Sequence, residues 1–352
     1  MPLGWSPAVW GDRRVAAVAA TVFAAAISAW VLVNPPGVHG EVATAATAST
    51  NGRIAFEASV ENAKAQIFTI RPDGKGLTQV TNLRSDDPGP GAFEPDWAPG
   101  GSRIAFNTGT RFEAPFFTRV TLFTIAPDGS SLTELPLGVG NFNGDPAYSP
   151  DGKQISFDQD VGKRADGLVH GIFIANSDGT NAHRLTTSFA THEGFDTESQ
   201  WSPDGSTIAF TRVKNERKAA IFTIRVDGTG LTQLTPYKLD AASPDWSPDG
   251  TTIVFNTYWD SPGGKSADLI TIPASGGKRT ALTHNRDGKQ FSFRPSWSPD
   301  GTRIVFTNAV NKRLADGGGV DLYMMHPDGT GAKRLTHMPK RFPTNSDWGM
   351  AP

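Results

Sequence analysis

The sequence predicts an all-β protein: a six-bladed β-propeller closed by its own C-terminal strand, preceded by one N-terminal transmembrane or signal helix. The first observation is a half-repeat, Trp201-Ser202-Pro203-Asp204-Gly205 followed by Ile208-Ala209-Phe210. It returns at Trp246 and Trp297, and in looser form at Trp97 and Tyr148. The second is its complement, Ile221-Phe222-Thr223-Ile224, then Asp227-Gly228, then Leu234-Thr235, which recurs over 67–81, 122–135, 172–186, 269–283 and 322–336. The period is about 45 to 53 residues, within the range for propeller blades. The third lies at the two ends. Residues 51–81 lack a Trp-containing strand in front, and Ser346-Asp347-Trp348-Gly349 supplies one just before the chain stops. Pairing the tail with the front closes the ring and removes open sheet edges.

Each repeat resolves into four short strands. In one repeat, 244–246 form the innermost strand A, 252–256 strand B, 268–272 strand C and 279–283 strand D. Asp-Gly between apolar runs marks the A–B and C–D hairpins, since glycine accepts positive φ and aspartate bonds its own backbone. The same chemistry accounts for the repeated Asp-Gly pairs without calcium. The recurring rings are expected between blades, where a Trp or Phe burying about 150–250 Å² contributes roughly 4–6 kcal/mol gross.

Composition narrows the function classes. Gly 38, Pro 26 and 19% charged residues suit short strands and tight turns. The formal charge of −2 carries no basic stripe, so nucleic acid is a poor partner. Without cysteine there is no disulfide framework, thiol nucleophile, lipidated cysteine or thiolate zinc site.

The N-terminus divides into a cytoplasmic tip (1–14), an apolar run (15–33) and a flexible Ala/Thr-rich linker (34–50), with the propeller over 51–352. As a helix the run spans about 28 Å, close to the hydrocarbon core. Arg13 and Arg14 precede it and Asn34-Pro35-Pro36 follows, which by the positive-inside rule places everything downstream outside the cytoplasm. The run is longer than a typical signal-peptide core, and Ala43-Thr44-Ala45 and Ala46-Thr47-Ala48 lie far beyond it. This favours an uncleaved anchor over a protein secreted after cleavage.

Strand order puts the short A–B and C–D turns on one face and the dissimilar B–C loops and D–A crossings on the other, where binding is expected. Aromatic residues Phe116, Phe117, Phe195, Tyr258 and Trp259, with Arg294, are candidate contact residues there, although the rings can equally pin their own loops. Three positions before the repeated aromatic stand Glu94, Asp145, Glu198, Ser243, Arg294 and Asn345. Glu94, Asp145 and Glu198 come from consecutive blades and form a candidate site for Ca²⁺ or Mg²⁺ in the central channel; a hydrated funnel with Arg294 offsetting the charge is the alternative. His192, Glu193 and Asp196 make the one compact His/acid cluster, without the helical His spacing of a zinc hydrolase. No nucleophile elbow, Walker loop or dinucleotide fingerprint is present.

The Trp-Ser-Pro-Asp-Gly and Ile-Phe-Thr-Ile…Asp-Gly…Leu-Thr halves resemble the repeats of TolB-like (WD-repeat-like) propellers over about residues 51–352. The resemblance implies a periplasmic setting and peptidoglycan-associated partners. Similar propellers also gate prolyl oligopeptidase-like enzymes or act as oligogalacturonate lyases. The α/β domain of TolB proper has no counterpart between the apolar run and the repeats. The expectation is a non-enzymatic extracytoplasmic scaffold for a protein or cell-envelope component, membrane-attached through its N-terminal segment. The alternative is a polysaccharide lyase or hydrolase with its site on the loop face or channel mouth.

Overall fold

The computed structural model describes residues 51–351 except 61–63, 85–90, 112–117, 139–141, 165–166, 187–193, 215–217, 262–263, 286–289, 311–318 and 339–340. Within strands the side chains at 60, 109–111, 118–119, 161–164, 167–170, 259–261 and 264–265 are also outside the description. The expected tip, apolar run and linker therefore lie outside it. Among the described residues no helix is long and apolar enough to cross a membrane.

The fold is an all-β propeller. The first three strands are β1 (Asn51–Val60), β2 (Gln66–Ile70) and β3 (Thr78–Gln79). Next come β4 (Ala92–Trp97), β5 (Ile104–Arg111), β6 (Thr118–Ile125) and β7 (Thr133–Glu134). They are followed by β8 (Asn143–Tyr148), β9 (Gln154–Arg164), β10 (Gly167–Asn176) and β11 (His183–Arg184). β12 (Gly194–Trp201), β13 (Thr207–Lys214), β14 (Lys218–Arg225) and β15 (Thr232–Gln233) precede a 3-10 turn at Tyr237–Leu239. β16 (Ala241–Trp246), β17 (Thr252–Ser261), β18 (Gly264–Pro273) and β19 (Thr280–Ala281) come next. The chain ends with β20 (Gln290–Trp297), β21 (Ile304–Val310), β22 (Val320–Met325), β23 (Lys333–Arg334) and β24 (Arg341–Met350).

These strands make four four-stranded antiparallel sheets and one eight-stranded sheet. The large sheet consists of two antiparallel meanders, β16–β19 and β20–β23, joined by one parallel pairing of Ala267 with Phe291. The tail closes on the front as expected. β24 pairs antiparallel with β1, Trp348 opposite Ile54 and Met350 opposite Asn51.

Local chemistry explains the repeat. In the A–B turn, Asp204 Oδ1 accepts hydrogen bonds from Ser202 Oγ (2.6 Å) and Ser206 N (3.0 Å), while Ser202 Oγ accepts from Thr207 N (3.0 Å). The same closure recurs around Asp249 and Asp300. These carboxylates are spent on their turns, as the sequence suggests, and the bonds hold them below the ordinary aspartate range. The Leu-Thr pair has a separate reason. The outer strands are only two residues long, and the threonine hydroxyl takes over where their backbone stops. Thr81, Thr186, Thr235, Thr283 and Thr336 Oγ1 each accept the first free N–H of the neighbouring strand at 2.8–3.0 Å.

The core lies between neighbouring sheets. Phe56, Phe106, Phe157, Phe210, Phe255 and Phe306 occupy one equivalent position and are all fully buried. One cluster joins Ala55 and Ile67 of the first sheet to Trp97, Ile104 and Phe106 of the second; the others are built the same way. Trp97, Trp201, Trp246 and Trp348 are buried here, which assigns them to packing.

Two expectations of strand extent are corrected. The stretch 258–268, read as a loop, is mostly hairpin: Tyr258 pairs with Ala267 and Ser261 with Gly264. β9 and β10 likewise continue to Arg164 and Gly167. Backbone pairing carries these hairpins past the packed sheets, where apolar alternation is no longer required. The innermost strands are also longer than the Trp tripeptides, because pairing resumes beyond a bulge, with Ala241 opposite Thr257.

Candidate functional site

That bulge builds the axial site. In β4, Phe93 pairs with Asn107 and Asp96 with Ala105, so Glu94 and Pro95 together face Phe106. The same two-against-one step occurs in β8, β12, β16, β20 and β24. The first bulged residues are Glu94, Asp145, Glu198, Ser243, Arg294 and Asn345, with φ between 44° and 55°. Left-handed backbone at a residue other than glycine costs about 1 kcal/mol or more. Six such residues at equivalent places re-aim six side chains toward one axis. They line a cavity of about 550 Å³, part of it open to solvent, with Asp96, Gln200, Asp245, Ser296 and Asp347 two residues further along the same strands.

The upper tier is braced internally. Arg294 crosses the cavity to Asp145 (Nη1 to Oδ1, 3.3 Å) and Glu198 (Nη2 to Oε1, 3.0 Å), all three side chains being largely buried. Burial alone would pull the guanidinium pKa down, but Glu198 and Asp145 outweigh it and hold it above its ordinary value. Glu94 Oε2 accepts Asp145 N (2.9 Å) and the Asn107 amide. Glu198 Oε2 accepts Ser243 N and Thr211 Oγ1, both at 2.7 Å. Glu57 Oε2 accepts Glu94 N (2.8 Å), and Asn256 Oδ1 accepts Arg294 N (3.1 Å). Side chains of one meander thus hold the strained backbone of the next.

The lower tier holds three carboxyl groups that no ion pair reaches among the described residues. Asp96, Asp245 and Asp347 accept the backbone N–H of Tyr148 (2.8 Å), Trp297 (2.6 Å) and Trp97 (2.8 Å), each from the next antiparallel meander. Burial pushes Asp245 up to about 7 and Asp347 to about 6; burial and then Asp347 push Asp96 well above the carboxylate range. Glu94 is raised in the same way, by burial and then Asp145.

The structure brings together Glu94, Asp145, Glu198 and Arg294, as expected from their register. Tyr258 packs instead against Ala267, Phe291 and Ala309, where burial first, and the charge of Glu198 next, push its hydroxyl up to about 12. Among the described residues, no three His, Asp or Glu side chains are arranged to hold a metal, and the guanidinium lies between two of the three carboxylates considered for Ca²⁺ or Mg²⁺. Of the His192, Glu193 and Asp196 cluster, Asp196 alone is among the described residues. Both its oxygens take the Arg212 guanidinium (2.6 and 2.7 Å), which also lies 5.0 Å from the Phe222 ring centre. His192, Glu193, Phe116, Phe117 and the Trp259 side chain lie outside the described residues, and Phe195 is half-buried. Sequence reasoning missed Glu57 and the lower aspartates. The signal for the aspartates was the Asp-Trp pair at 96–97, 245–246 and 347–348.

Fold and site together define a closed β-propeller with an acidic, internally braced axial cavity. The chain belongs to the TolB beta propeller domain family (PD40), whose profile matches residues 138–313, half of the chain. No curated protein matches the sequence. Among solved structures, the chain is similar to TolB from Acinetobacter baumannii, with 21% identity and a TM-score of 0.62 over 85% of this chain and 66% of that one. It therefore spans about two thirds of that protein's length. The putative TolB from Agrobacterium tumefaciens matches at 18% identity and a TM-score of 0.59, covering 85% of this chain and 99% of the other. A chain of the nidogen/laminin complex matches at 10% identity and a TM-score of 0.60, covering 84% and 98%. At these identities the likeness is one of fold.

Proposed function

We propose that the chain is a non-enzymatic binding scaffold, held outside the cytoplasm by its N-terminal segment, that engages a protein or cell-envelope component through the face carrying the B–C hairpins and D–A crossings. In this reading the eight-stranded sheet counts as two blades, giving six, since among the described residues Ala267 opposite Phe291 is the one strand pairing between two complete meanders. The observation that carries the reading is the contrast between the two faces. One bears uniform turns closed by their own aspartates, and the other bears hairpins of unequal reach, ending at Arg164–Gly167, Lys214–Lys218 and Ser261–Gly264. Chain entry supports the orientation. Asn51 Oδ1 accepts Asp300 N in an A–B turn, so a linker over 34–50 would arrive at the short-turn face and leave the hairpin face directed outward. The lyase or hydrolase alternative loses Asp196 to Arg212.

The test is affinity capture of envelope extract by the full chain in detergent, alongside a variant with residues 158–170 and 258–268 scrambled. The reading predicts a specific partner for the parent, lost in the scrambled chain while thermal unfolding stays cooperative. Turnover of uronate oligomers that His192→Ala abolishes, with no partner captured, would replace this reading with the enzyme.

A further inference from the structure

The large apolar residues that stay exposed among the described residues are Leu77, Leu132, Leu231 and Met350, at 40–52% exposure. All lie on the short-turn face. Met350 ends β24 opposite Asn51, beside the A–B turn of Asp300 where the chain enters the ring. Leu77, Leu132 and Leu231 occupy the same place in three C–D turns, one residue before the outer strands β3, β7 and β15. The other C–D turns carry Ala182, Arg279 and Ala332 there, exposed as well. Equivalent points of a closed ring share one height along its axis, so the three leucines stand in one plane. Each is held in place. A left-handed Gly76, Ser131 or Gly230 precedes it. Arginines grip two of the turns, Arg53 donating to the Gly76 carbonyl and to Thr78 Oγ1 (3.2 Å), and Arg103 to the Ser131 carbonyl (2.7 Å). Single exposed leucines are ordinary, but their confinement to one face and one height marks an interaction surface.

We propose that this short-turn face seats on the bilayer that the N-terminal segment enters, with Leu77, Leu132 and Leu231 dipping into the lipid interface and the arginines beside them at headgroup level. The inference rests on the membrane attachment in the scaffold reading and adds the surface that meets the lipid. A flexible linker over 34–50 would have a root-mean-square reach of about 20–25 Å, which keeps the face where it enters close to the bilayer. At that effective concentration, contacts too weak to bind a free ring suffice. Leucines spread around a rim, with charged turns between them, form no groove for a second copy or a compact partner, whereas a plane meets all three at once. Apolar tips beside guanidinium groups on long apolar stems are the chemistry of a membrane interface.

The chain has no cysteine, so Lys75→Cys on this face and Lys218→Cys on the hairpin face each take one environment-sensitive fluorophore. Both lysines are exposed. The labelled full chain is moved from detergent into vesicles of phosphatidylethanolamine with phosphatidylglycerol, with and without doxyl-labelled lipid. The expected result is co-flotation with the vesicles and at least about twofold quenching of the label at 75 but not of the label at 218. Leu77→Gln, Leu132→Gln and Leu231→Gln together should abolish that quenching while flotation persists. The comparison of the two labels substitutes no leucine, so it stands whatever the glutamines do to folding. Equal quenching at both positions, none at 75, or quenching that survives the glutamines would each overturn the proposal. So would energy transfer between labels at 75 on separate chains that the glutamines remove, which would make the face a contact between two copies. Flotation separates the claims. A chain that floats with an unquenched label at 75 keeps its anchor and loses the seat, and a chain that does not float loses both.

Discussion

Replacing Arg294 with methionine removes the one guanidinium lining the axial cavity and leaves Asp145 and Glu198 facing each other in a buried setting. At 3.0 and 3.3 Å and an effective dielectric near 20, each contact is worth roughly 5 kcal/mol of gross attraction, largely offset by the desolvation of three ions. What remains after deletion is the stranded charge, and breaking a buried pair of this kind costs about 3–5 kcal/mol. Backbone strain cancels from the comparison, since residue 294 stays left-handed in either chain. For a ring of this size the loss corresponds to a drop in Tm on the order of 5–8 °C. Circular dichroism melts and urea titrations at pH 8 read it directly. A loss under about 1 kcal/mol would refute the assignment of Arg294 as the brace of the channel.

Asp347→Asn should stabilise the protein at alkaline pH. Its folded pKa of about 6 lies above the ordinary 3.8, so the native state holds the proton more tightly; that contribution is complete below about pH 4 and is lost as pH rises through 6. Above pH 7 the variant should gain about 3 kcal/mol over the parent and show no gain at pH 4, as read by denaturant midpoints; a gain independent of pH would contradict the shift. Asp245, raised to about 7, should behave alike with its loss centred one pH unit higher, measured by the same titration. Arg212→Leu should cost about 3–5 kcal/mol by stranding Asp196, whereas Arg212→Leu with Asp196→Leu should recover most of it, and a double variant no better than the single would show that the ion pair is not the issue.

The parts of this molecule legible in its sequence are those whose chemistry closes within a few residues. Asp204 satisfies Ser202 and Ser206 without help, so its turn reads off a pentapeptide. The closing strand was legible too, because Trp348 belongs to a repeat whose partner was missing at the front. Hairpin reach was not. Whether Tyr258 and Trp259 continue a strand depends on Ala267 and Ser266 coming back opposite them, and no apolar alternation marks that stretch. The axial ring was half legible: position in the repeat collected Glu94, Asp145, Glu198 and Arg294, but not which charges would be met. That outcome depends on a side chain arriving from 149 residues away, and it leaves Asp96, Asp245 and Asp347 without a cation.

Every assignment of face and axis rests on β24 completing the sheet begun by β1. The chain has no cysteine, so Asn51→Cys with Met350→Cys introduces the one possible intramolecular disulfide, between residues paired across those strands. Mass analysis after mild oxidation should find the monomer fully cross-linked, with a raised Tm that reductant reverses. Two free thiols in a folded monomer would mean that the ends do not meet.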